Sequence, residues 1–578
     1  MKAILLMLLA FAGYIIAYHT YGRFLARKIF NLSDTACVPS RELEDGKDFV
    51  PTRKIVIFGH HYTSIAGTGP IVGPAIGIIW GWVPALIWVF VGSIAMGAVH
   101  DFGSLVLSLR NQGKSVSEIA ARYVGCRVRY IFFLIIFFEL LIVIAVFGLV
   151  ISVIFSMFPQ SVFPIWMEIP IAIALGWLIY KRPARLALST VMAVVIMYAT
   201  VVLGHFIPMK MPAVAGIPAT GVWTLILLAY AYIASTVSVK ALLQPRDYIN
   251  AFQLFIAMGL LMVGVVASGL FSDLSIVAPA VNLKPEGAPP IFPFLFIVIA
   301  CGAISGFHSL VSSGTTSKQI SCEGDAQFVG YGSMLMEAAL ATIVIIAVGA
   351  GIGLAYKTTG GEILYGTQAW TAHYSSWAAS QGLGSKITAV VVGSANMMAA
   401  AGIPKALGII IMGVFIASFA GTTLDTATRI QRYVVTELSG ELKIRLMMNK
   451  YVATLFAVGT AALLAFATGA DGNGALKLWP MFGAVNQLLA ALVLIVITIH
   501  VRSRQGLWFL LPGIPALFML VMTVWAVFRN EMTFITDANW LLALINGSVL
   551  VLSLWVVTEG AIVIGRGLQH RPRGQMDR

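Results

Sequence analysis

Apolar runs of about 20 residues recur from one end of this 578-residue chain to the other. About 20 apolar residues in a helix span the hydrocarbon core of a bilayer. Hydrophobic residues make up 59% of the chain and charged residues only 11%, whereas about a quarter of a soluble domain is charged. The sequence therefore predicts an all-α fold, a polytopic bundle of transmembrane helices.

About fifteen crossings are predicted. They lie near residues 3–20, 55–80, 82–108, 130–157, 165–180, 186–207, 222–239, 251–272, 292–314, 329–356, within 386–424, and near 450–469, 477–500, 507–528 and 540–565. The first run could also be a signal peptide. A spanning helix is favoured because the run is longer than a usual signal core and the basic residues Arg23, Arg27 and Lys28 follow it.

The basic residues give the expected orientation. Most of the 37 Lys and Arg residues fall in alternate loops, and positive residues are retained on the cytoplasmic side of a membrane. This bias predicts a multi-pass protein of the bacterial inner membrane, with its N-terminus outside and its C-terminus cytoplasmic.

The segment 386–424 is exceptional, because two crossings there would place the basic run 429–450 outside. We therefore expect one part of it, from Lys386 to Gly402, to be a half-helix or a re-entrant segment buried in protein. The parts 1–380 and 381–578 are interpreted as a single continuous membrane domain, because the chain shows no soluble module.

Residues 59–77 contain five glycines and two prolines at membrane depth. Pro70 and Pro74 each lack a backbone donor, so a regular helix is not expected. Transporters bind substrate and coupling ions at such breaks, although a kink packed through small residues is the alternative. The candidate contacts in this stretch are Ser64, Gly67, Thr68 and Gly69.

A second break is predicted within 301–320, where hydroxyl residues crowd the end of an apolar helix. The candidates there are Ser312, Ser313, Thr315 and Thr316, with ordinary helix packing as the alternative. Gly59 to Thr68 aligns with Gly306 to Thr315 at four positions in helices of opposite direction. This weak match suggests the inverted repeats of APC or LeuT-like transporters.

Ionisable residues inside a membrane are costly and mark transport pathways by default. The candidates, which all approach from the cytoplasmic half, are His60, His61, His100, Asp101, Glu139, His308, Lys318, Glu337 and Asp425. Proton exchange is favoured over metal binding, since neighbouring residues on a helix rarely share one ion. The alternatives are a buried structural role for each histidine and an i,i+4 ion pair between Asp425 and Arg429.

Two further stretches carry polar groups. Asn486 and Gln487 lie inside an apolar helix and need partners, for which a neighbouring helix is favoured over substrate. Residues 244–248, Gln-Pro-Arg-Asp-Tyr, are predicted to form a charged cytoplasmic turn that acts as a structural clamp.

Seven motifs between residues 59 and 492 resemble the carbon starvation protein A family. They are GHHYTSIAGTGPIVGP, GAVHDF, QPRDYIN, CGAISGFHSLVSSGTTSK, YGSMLMEAALA, TTLDTATRIQRY and WPMFGAVNQLLAAL. The resemblance implies a bacterial secondary transporter of the amino acid-polyamine-organocation kind. It implies proton-linked uptake of peptides or, as in close relatives, of pyruvate during carbon shortage.

Other classes of function fit less well. The sequence has no GxSxG, HExxH or P-loop motif for an enzyme and no soluble signalling domain for a receptor. We expect peptide or pyruvate, protons and lipid as partners, and no catalytic residue, cofactor, bound metal or nucleic acid. A receptor or a metal transporter is the weaker alternative.

Overall fold

The computed structural model describes residues 3–181, 186–272, 274–358, 360–378 and 383–565. The first twelve helices are α1 (Ala3–Ala17), α2 (Pro39–Glu42), α3 (Lys54–Ala66), α4 (Gly69–Gly77), α5 (Trp82–Gly92), α6 (Ala98–Leu109), α7 (Val116–Tyr123), α8 (Cys126–Met157), α9 (Val162–Lys181), α10 (Leu186–Gly204), α11 (Ala219–Thr236) and α12 (Leu243–Phe271). The others are α13 (Ile291–Val298), α14 (Gly306–Gly314), α15 (Gly332–Gly349), α16 (Gly366–Tyr374), α17 (Leu383–Ala400), α18 (Lys405–Glu441), α19 (Lys450–Phe466), α20 (Gly474–Lys477), α21 (Trp479–Gln505), α22 (Leu510–Thr536) and α23 (Trp540–Gly565). Strands β1 (Tyr356–Lys357) and β2 (Ile363–Leu364) pair antiparallel after α15.

Twelve helical segments among the described residues are long and apolar enough to cross a membrane. Three features explain the difference from about fifteen predicted crossings. The segment Met481–Thr536 contains both α21 and α22, while α19, with 17 residues, is a shorter apolar helix than the twelve. The pair α13 and α14 is interrupted in its middle. The all-α membrane bundle is confirmed.

Helix α17 begins and ends at the same side of the bundle. Gly384 near its start lies against Met157, the last residue of α8, and Asn396 near its end donates to the carbonyl of Gly351, just beyond α15. In chain order α8 and α15 are both even-numbered crossings, so these two ends lie at one face. These contacts agree with the predicted re-entrant segment, whose path through the membrane stays a prediction, and the next long apolar helix is α18.

Burial separates an inner group of helices from an outer one. In the spans Lys54–Trp80 and Glu323–Leu354, 94% of the most apolar stretch is buried inside the protein. In the spans Ala187–Gly204 and Trp540–Val563, only 33% of that stretch is buried. The outer helices present their apolar side chains to lipid, whereas the inner helices hold the polar candidates. The inner helices are therefore the ones that position the site.

The charged turn predicted at residues 244–248 is wrong. Helix α12 begins at Leu243, eight residues before the predicted start, and Arg246 and Asp247 are buried in its first turns. Pro245 fits there, because the N–H groups of a first helical turn have no intrahelical partner. Buried ion pairs replace the solvent that the sequence analysis expected around these charges.

Candidate functional site

The first interrupted helix breaks at Gly67, between α3 and α4. Gly67 has a φ of 22° and a ψ of −150°, and α4 begins at Gly69 after Thr68. Because Pro70 has no N–H and the N–H groups of Thr68 and Gly69 bond to no backbone carbonyl, the last turn of α3 stays open. The carbonyl groups that receive no backbone donor from the described residues are those of Ser64, Ile65 and Ala66.

Hydroxyl groups surround this break. On α18, the Thr426 hydroxyl lies 3.3 Å from the Ser64 hydroxyl, and Thr423 Oγ1 lies 3.5 Å from the carbonyl oxygen of Ser64. Thr68 Oγ1 is buried and meets no hydrogen-bond partner among the described residues. The break therefore offers free N–H groups, free carbonyls and hydroxyls within a few residues of each other.

The second interrupted helix lies directly against the first. Residues 299–305 separate α13 from α14, and a Cβ on Gly69 would lie only 2.4 Å from the Cβ and Sγ atoms of Cys301. A Cβ on Gly302 would lie 3.6 Å from Cβ of Pro70. The sequence predicted both breaks, and the structure brings them into contact.

A chain of buried ionisable groups leads away from the second break. His100 Nδ1 and His308 Nδ1 each lie 2.8 Å from a carboxylate oxygen of Asp101. On its other side, His308 Nε2 is 3.3 Å from Glu337 Oε2, and Glu337 Oε1 accepts a hydrogen bond from the N–H of Gly302. All four ionisable side chains are fully buried, and we call them the Asp101 cluster.

Cys301 adds a sulfur atom to one end of the Asp101 cluster. Cys301, His308 and Glu337 each bring one potential ligand atom within 4.8 Å of the others, a spacing that a transition-metal ion could bridge. We describe the three residues as a polar cluster, because Nε2 of His308 already faces the Glu337 carboxylate and Nδ1 faces Asp101.

A second group of ionisable residues, the Arg246 cluster, joins α3, α12 and α18. His60 Nδ1 lies 2.6 Å from Asp247 Oδ2, and Arg246 lies 3.4 Å from the other oxygen of Asp247. Arg246 also donates to Asp425, whose carboxylate accepts a hydrogen bond of 3.0 Å from the Tyr230 hydroxyl. The buried positive charge of Arg246 is therefore paired with buried carboxylates.

The ion pair between Asp425 and Arg429, which the sequence analysis kept as an alternative, does not form. Arg429 instead donates to the carbonyls of Ala234 and Val237 and lies 3.4 Å from Asp48. The i,i+4 spacing permits that pair, but the guanidinium of Arg246 on α12 occupies the Asp425 carboxylate. Tertiary pairing has replaced the local pair.

His61 and the hydroxyl candidates occupy the space between the two clusters. His61 Nδ1 lies 2.8 Å from Thr316 Oγ1, and Ser312 Oγ lies 3.5 Å from the backbone oxygen of Asp101. Ser313 and Thr315 bond back to carbonyls of their own helix. Those two hydroxyls follow the structural alternative that the sequence analysis kept open.

Two predicted pathway residues lie away from both clusters. Glu139 is fully buried in α8, and neither of its carboxylate oxygens has a hydrogen-bond partner among the described residues. Lys318 places its ammonium 4.4 Å from the ring of Tyr433 at the end of the bundle. Burial lowers the pKa of Lys318, although Glu437 and Asp48 oppose that shift.

The two buried amides of α21 hold the second interrupted helix in place. Asn486 Oδ1 accepts a hydrogen bond of 2.8 Å from the N–H of Phe307, in the first turn of α14. Gln487 donates to the carbonyl of Phe296 in α13. Both partners belong to neighbouring helices, as the sequence analysis favoured, and together the amides clamp both sides of the break.

Sequence reasoning missed two members of the site. Glu168 is buried in α9 and accepts a 2.5 Å hydrogen bond from Ser418, yet it was absent from the candidates. It lies within an apolar run, which is the signal that identified Glu139 and Glu337 and could have found it. Tyr230 carries no such signal, because tyrosines are common in membrane helices.

The sequence model of the family described as "Carbon starvation protein CstA" matches residues 2–526. The chain belongs to the CstA family. The match covers both broken helices and both polar clusters, so the motifs that suggested the family are the ones that build the site.

Several CstA relatives are similar over most of their length. The "Peptide transporter CstA" of Campylobacter jejuni is 34% identical, over 92% of this chain and 81% of that protein. The "Pyruvate/proton symporter BtsT" of Escherichia coli is 32% identical, over 89% of this chain and 80% of that protein. The "Peptide transporter CstA" of Bacillus subtilis is 32% identical, over 98% of this chain and 96% of that protein.

Among solved structures, a manganese transporter of Eremococcus coleocola superposes on this CstA chain with a TM-score of 0.50. It shares 12% sequence identity, and the alignment covers 91% of this chain and 99% of the transporter. At that identity the likeness concerns the fold alone. It adds a known transporter fold to the multi-pass membrane architecture.

Proposed function

We propose that this chain is a proton-coupled secondary transporter that imports peptides across the bacterial inner membrane. The observation that carries the proposal is the contact between the two helix breaks at Gly69 and Cys301, beside the Asp101 cluster. Discontinuous helices of transporters bind cargo and coupling ions at such places. The CstA relatives named as transporters support the same function.

The open groups at the first break suit a cargo with two charged ends. The N–H groups of Thr68 and Gly69, at the start of α4, can receive a carboxylate, since a helix N-terminus attracts anions. The open carbonyls at the end of α3 can receive an ammonium group. A peptide carries both groups, and this is the reason to favour it.

Pyruvate is the second candidate cargo. It presents a carboxylate without an ammonium, so it would use the N–H groups of α4 and leave the carbonyls of α3 to water or to a cation. The relative named as a pyruvate/proton symporter favours this reading.

The Asp101 cluster is the part to which we assign the proton. It holds two histidines and two carboxylates in contact, and histidine is the side chain whose ordinary charge change falls between pH 5 and 8. Because Glu337 also bonds to the N–H of Gly302 in the second break, a change of charge on Glu337 acts directly on that break. In this proposal the N-terminus lies outside and the C-terminus is cytoplasmic, as the loop charges predict.

Uptake by the purified protein in proteoliposomes tests the proposal. Labelled dipeptide, tripeptide and pyruvate are offered in parallel, under an inward proton gradient. We expect peptides to accumulate and a protonophore to abolish the accumulation. Accumulation of pyruvate alone would assign the second cargo, and accumulation that is insensitive to the protonophore would contradict proton coupling.

A further inference from the structure

A narrow cavity of about 30 Å³ lies between α8, α9, α11, α12 and α18. Most of its wall is apolar, with Phe155, Ile165 and Leu227 among the lining residues. Its polar lining consists of Glu168, Tyr230, Arg246 and Ser418. A cavity of this size has room for one or two water molecules, provided that polar groups hold them.

Glu168 brings a carboxyl group to this cavity. It is 2% exposed, and the Ser418 hydroxyl donates a 2.5 Å hydrogen bond to its Oε1 atom. The described structure pairs Glu168 with no cation by direct contact. An isolated buried carboxylate is strongly unfavourable, and such a group binds a proton instead.

The Arg246 cluster forms the opposite polar wall. Arg246 is bound to Asp425, yet its Nε atom and the Oδ1 atom of Asp425 have no hydrogen-bond partner among the described residues. Arg246 is 4% exposed and Asp425 is fully buried, so both unpaired atoms lie inside the protein. Arg246 lines the cavity, so water that binds its Nε atom can also reach Glu168.

The charges around Glu168 favour its protonated form. Arg246 faces it, but Asp425 and Asp247 already offset that positive charge from α18 and α12. Tyr230 is the titratable group that faces it from α11. No charged side chain of α8 or of the described part of α10 faces the cavity. Ionised Glu168 would therefore need Arg246 to turn from Asp425 towards it.

We propose that Glu168 is a second protonation site of the transport cycle, which exchanges its proton through the cavity beside Arg246 and Asp425. The inference rests on the proposed function, and it adds a carboxylate outside the Asp101 cluster. In the exchange, a hydronium ion that reaches the cavity transfers a proton to an oxygen of ionised Glu168 and becomes water. Glu168 later returns the proton to a water molecule, which becomes hydronium. No other group is oxidised, reduced or transferred.

A polar route leads from this site towards α14, the helix that carries His308 of the Asp101 cluster. Arg246 contacts Asp247, and Asp247 contacts His60, whose sequence neighbour His61 reaches Thr316 beside α14. A change of charge at Glu168 thus alters the electrostatic interaction of Arg246 with Asp425 and Asp247. Asp247 in turn contacts His60 of α3. This arrangement links the state of Glu168 to the helix that carries the first break.

Two transport assays on Glu168→Gln test the proposal. One measures cargo accumulation driven by a proton gradient, and the other measures exchange of labelled for unlabelled cargo without a gradient. We expect loss of gradient-driven accumulation with exchange retained, because exchange needs no net proton movement. Retained accumulation, or an equal loss of both activities, would overturn the proposal.

Infrared spectroscopy of the purified protein gives a readout that needs no cargo. We expect the difference spectrum between the wild type and Glu168→Gln to contain the carbonyl stretching band of a buried protonated carboxylic acid. The band should shift in Ser418→Ala, which removes the hydrogen bond to Oε1. Glu559→Gln, the same change on the peripheral helix α23, should leave the band intact. A difference spectrum without this band would overturn the proposal, whereas a wild-type protein that shows this band but accumulates no cargo would count against the proposed function alone.

Discussion

His308 Nδ1 lies 2.8 Å from Asp101 Oδ2, although 207 residues separate the two in sequence. The contact joins α6 to α14 within one turn of the second helix break. It therefore ties a charged group of a continuous helix to the interrupted helix that meets α4.

Asp101→Asn should abolish proton-driven accumulation and lower the unfolding temperature. The amide carries no charge, so two histidines lose their shared carboxylate, and breaking a buried ion pair costs roughly 3–5 kcal/mol. Uptake in proteoliposomes and thermal unfolding in detergent measure the two effects. Asp537→Asn, at an exposed position after α22, is the control that should match the wild type. Normal accumulation by Asp101→Asn would refute the role assigned to the cluster.

Gly69→Ala should impair transport, because the new Cβ would lie 2.4 Å from Cβ and Sγ of Cys301. Overpacking of this kind costs about 1–3 kcal/mol. Adding Cys301→Gly removes the opposing atoms and should restore part of the uptake rate. Gly259→Ala in α12 meets no atom within 4 Å and should be neutral. If Gly69→Ala transports normally, the two breaks do not pack as described.

Cysteines placed at Ala378 and Ala399 should be labelled from the same side of the membrane. Ala378→Cys and Ala399→Cys are introduced one at a time into a chain whose four native cysteines are replaced by serine. Both positions are exposed. Ala378 precedes α17 and Ala399 lies in its last turn, and we expect α17 to re-enter from one face. A membrane-impermeant maleimide added to right-side-out or inverted vesicles measures the side. Labelling from opposite sides would mean that α17 crosses the membrane.

The region around α16 should lose stability as the pH falls from about 6.5 to 4. Burial, reinforced by the charge of Lys386, lowers the pKa of His373 from 6.5 to about 4. The unfolded chain binds a proton on His373 near pH 6.5 while the folded chain still excludes it, so this contribution is complete above 6.5 and is lost on acidification. Hydrogen exchange of α16 across this pH range measures the effect.

His373→Gln should remove that pH dependence, since glutamine does not titrate. His205→Gln, at an exposed position after α10, should leave it in place. An unchanged pH profile in His373→Gln would assign the loss of stability to another group.

The sequence predicted the parts of this fold that depend on local composition. Apolar length identified the long spanning helices, and Pro70 and the glycines around it identified the first break. The loop charges predicted that the segment which forms α17 does not cross, and this stays a prediction. Each of these signals acts within a few tens of residues, so one stretch of sequence contains all the information.

Pairings between distant helices were the part that the sequence could not supply. Asp425 pairs with Arg246, which is 179 residues away, and not with Arg429 on its own helix face. The sequence suggested Arg429 as an alternative partner of Asp425, because spacing along one helix can be read from the sequence. The packing of α12 against α18 cannot be read in this way. The same limit hid the contact between Ser418 and Glu168, 250 residues apart.

The contact between Gly69 and Cys301 has a mechanical consequence. Two interrupted helices that stood apart would bend as two independent joints, each with its own range. Here Gly69 has no side chain and Cys301 packs directly against it, so a tilt of α4 pushes directly on the segment that precedes α14. The four half-helices therefore share one pivot, and a conformational change that starts at either interruption must move the other.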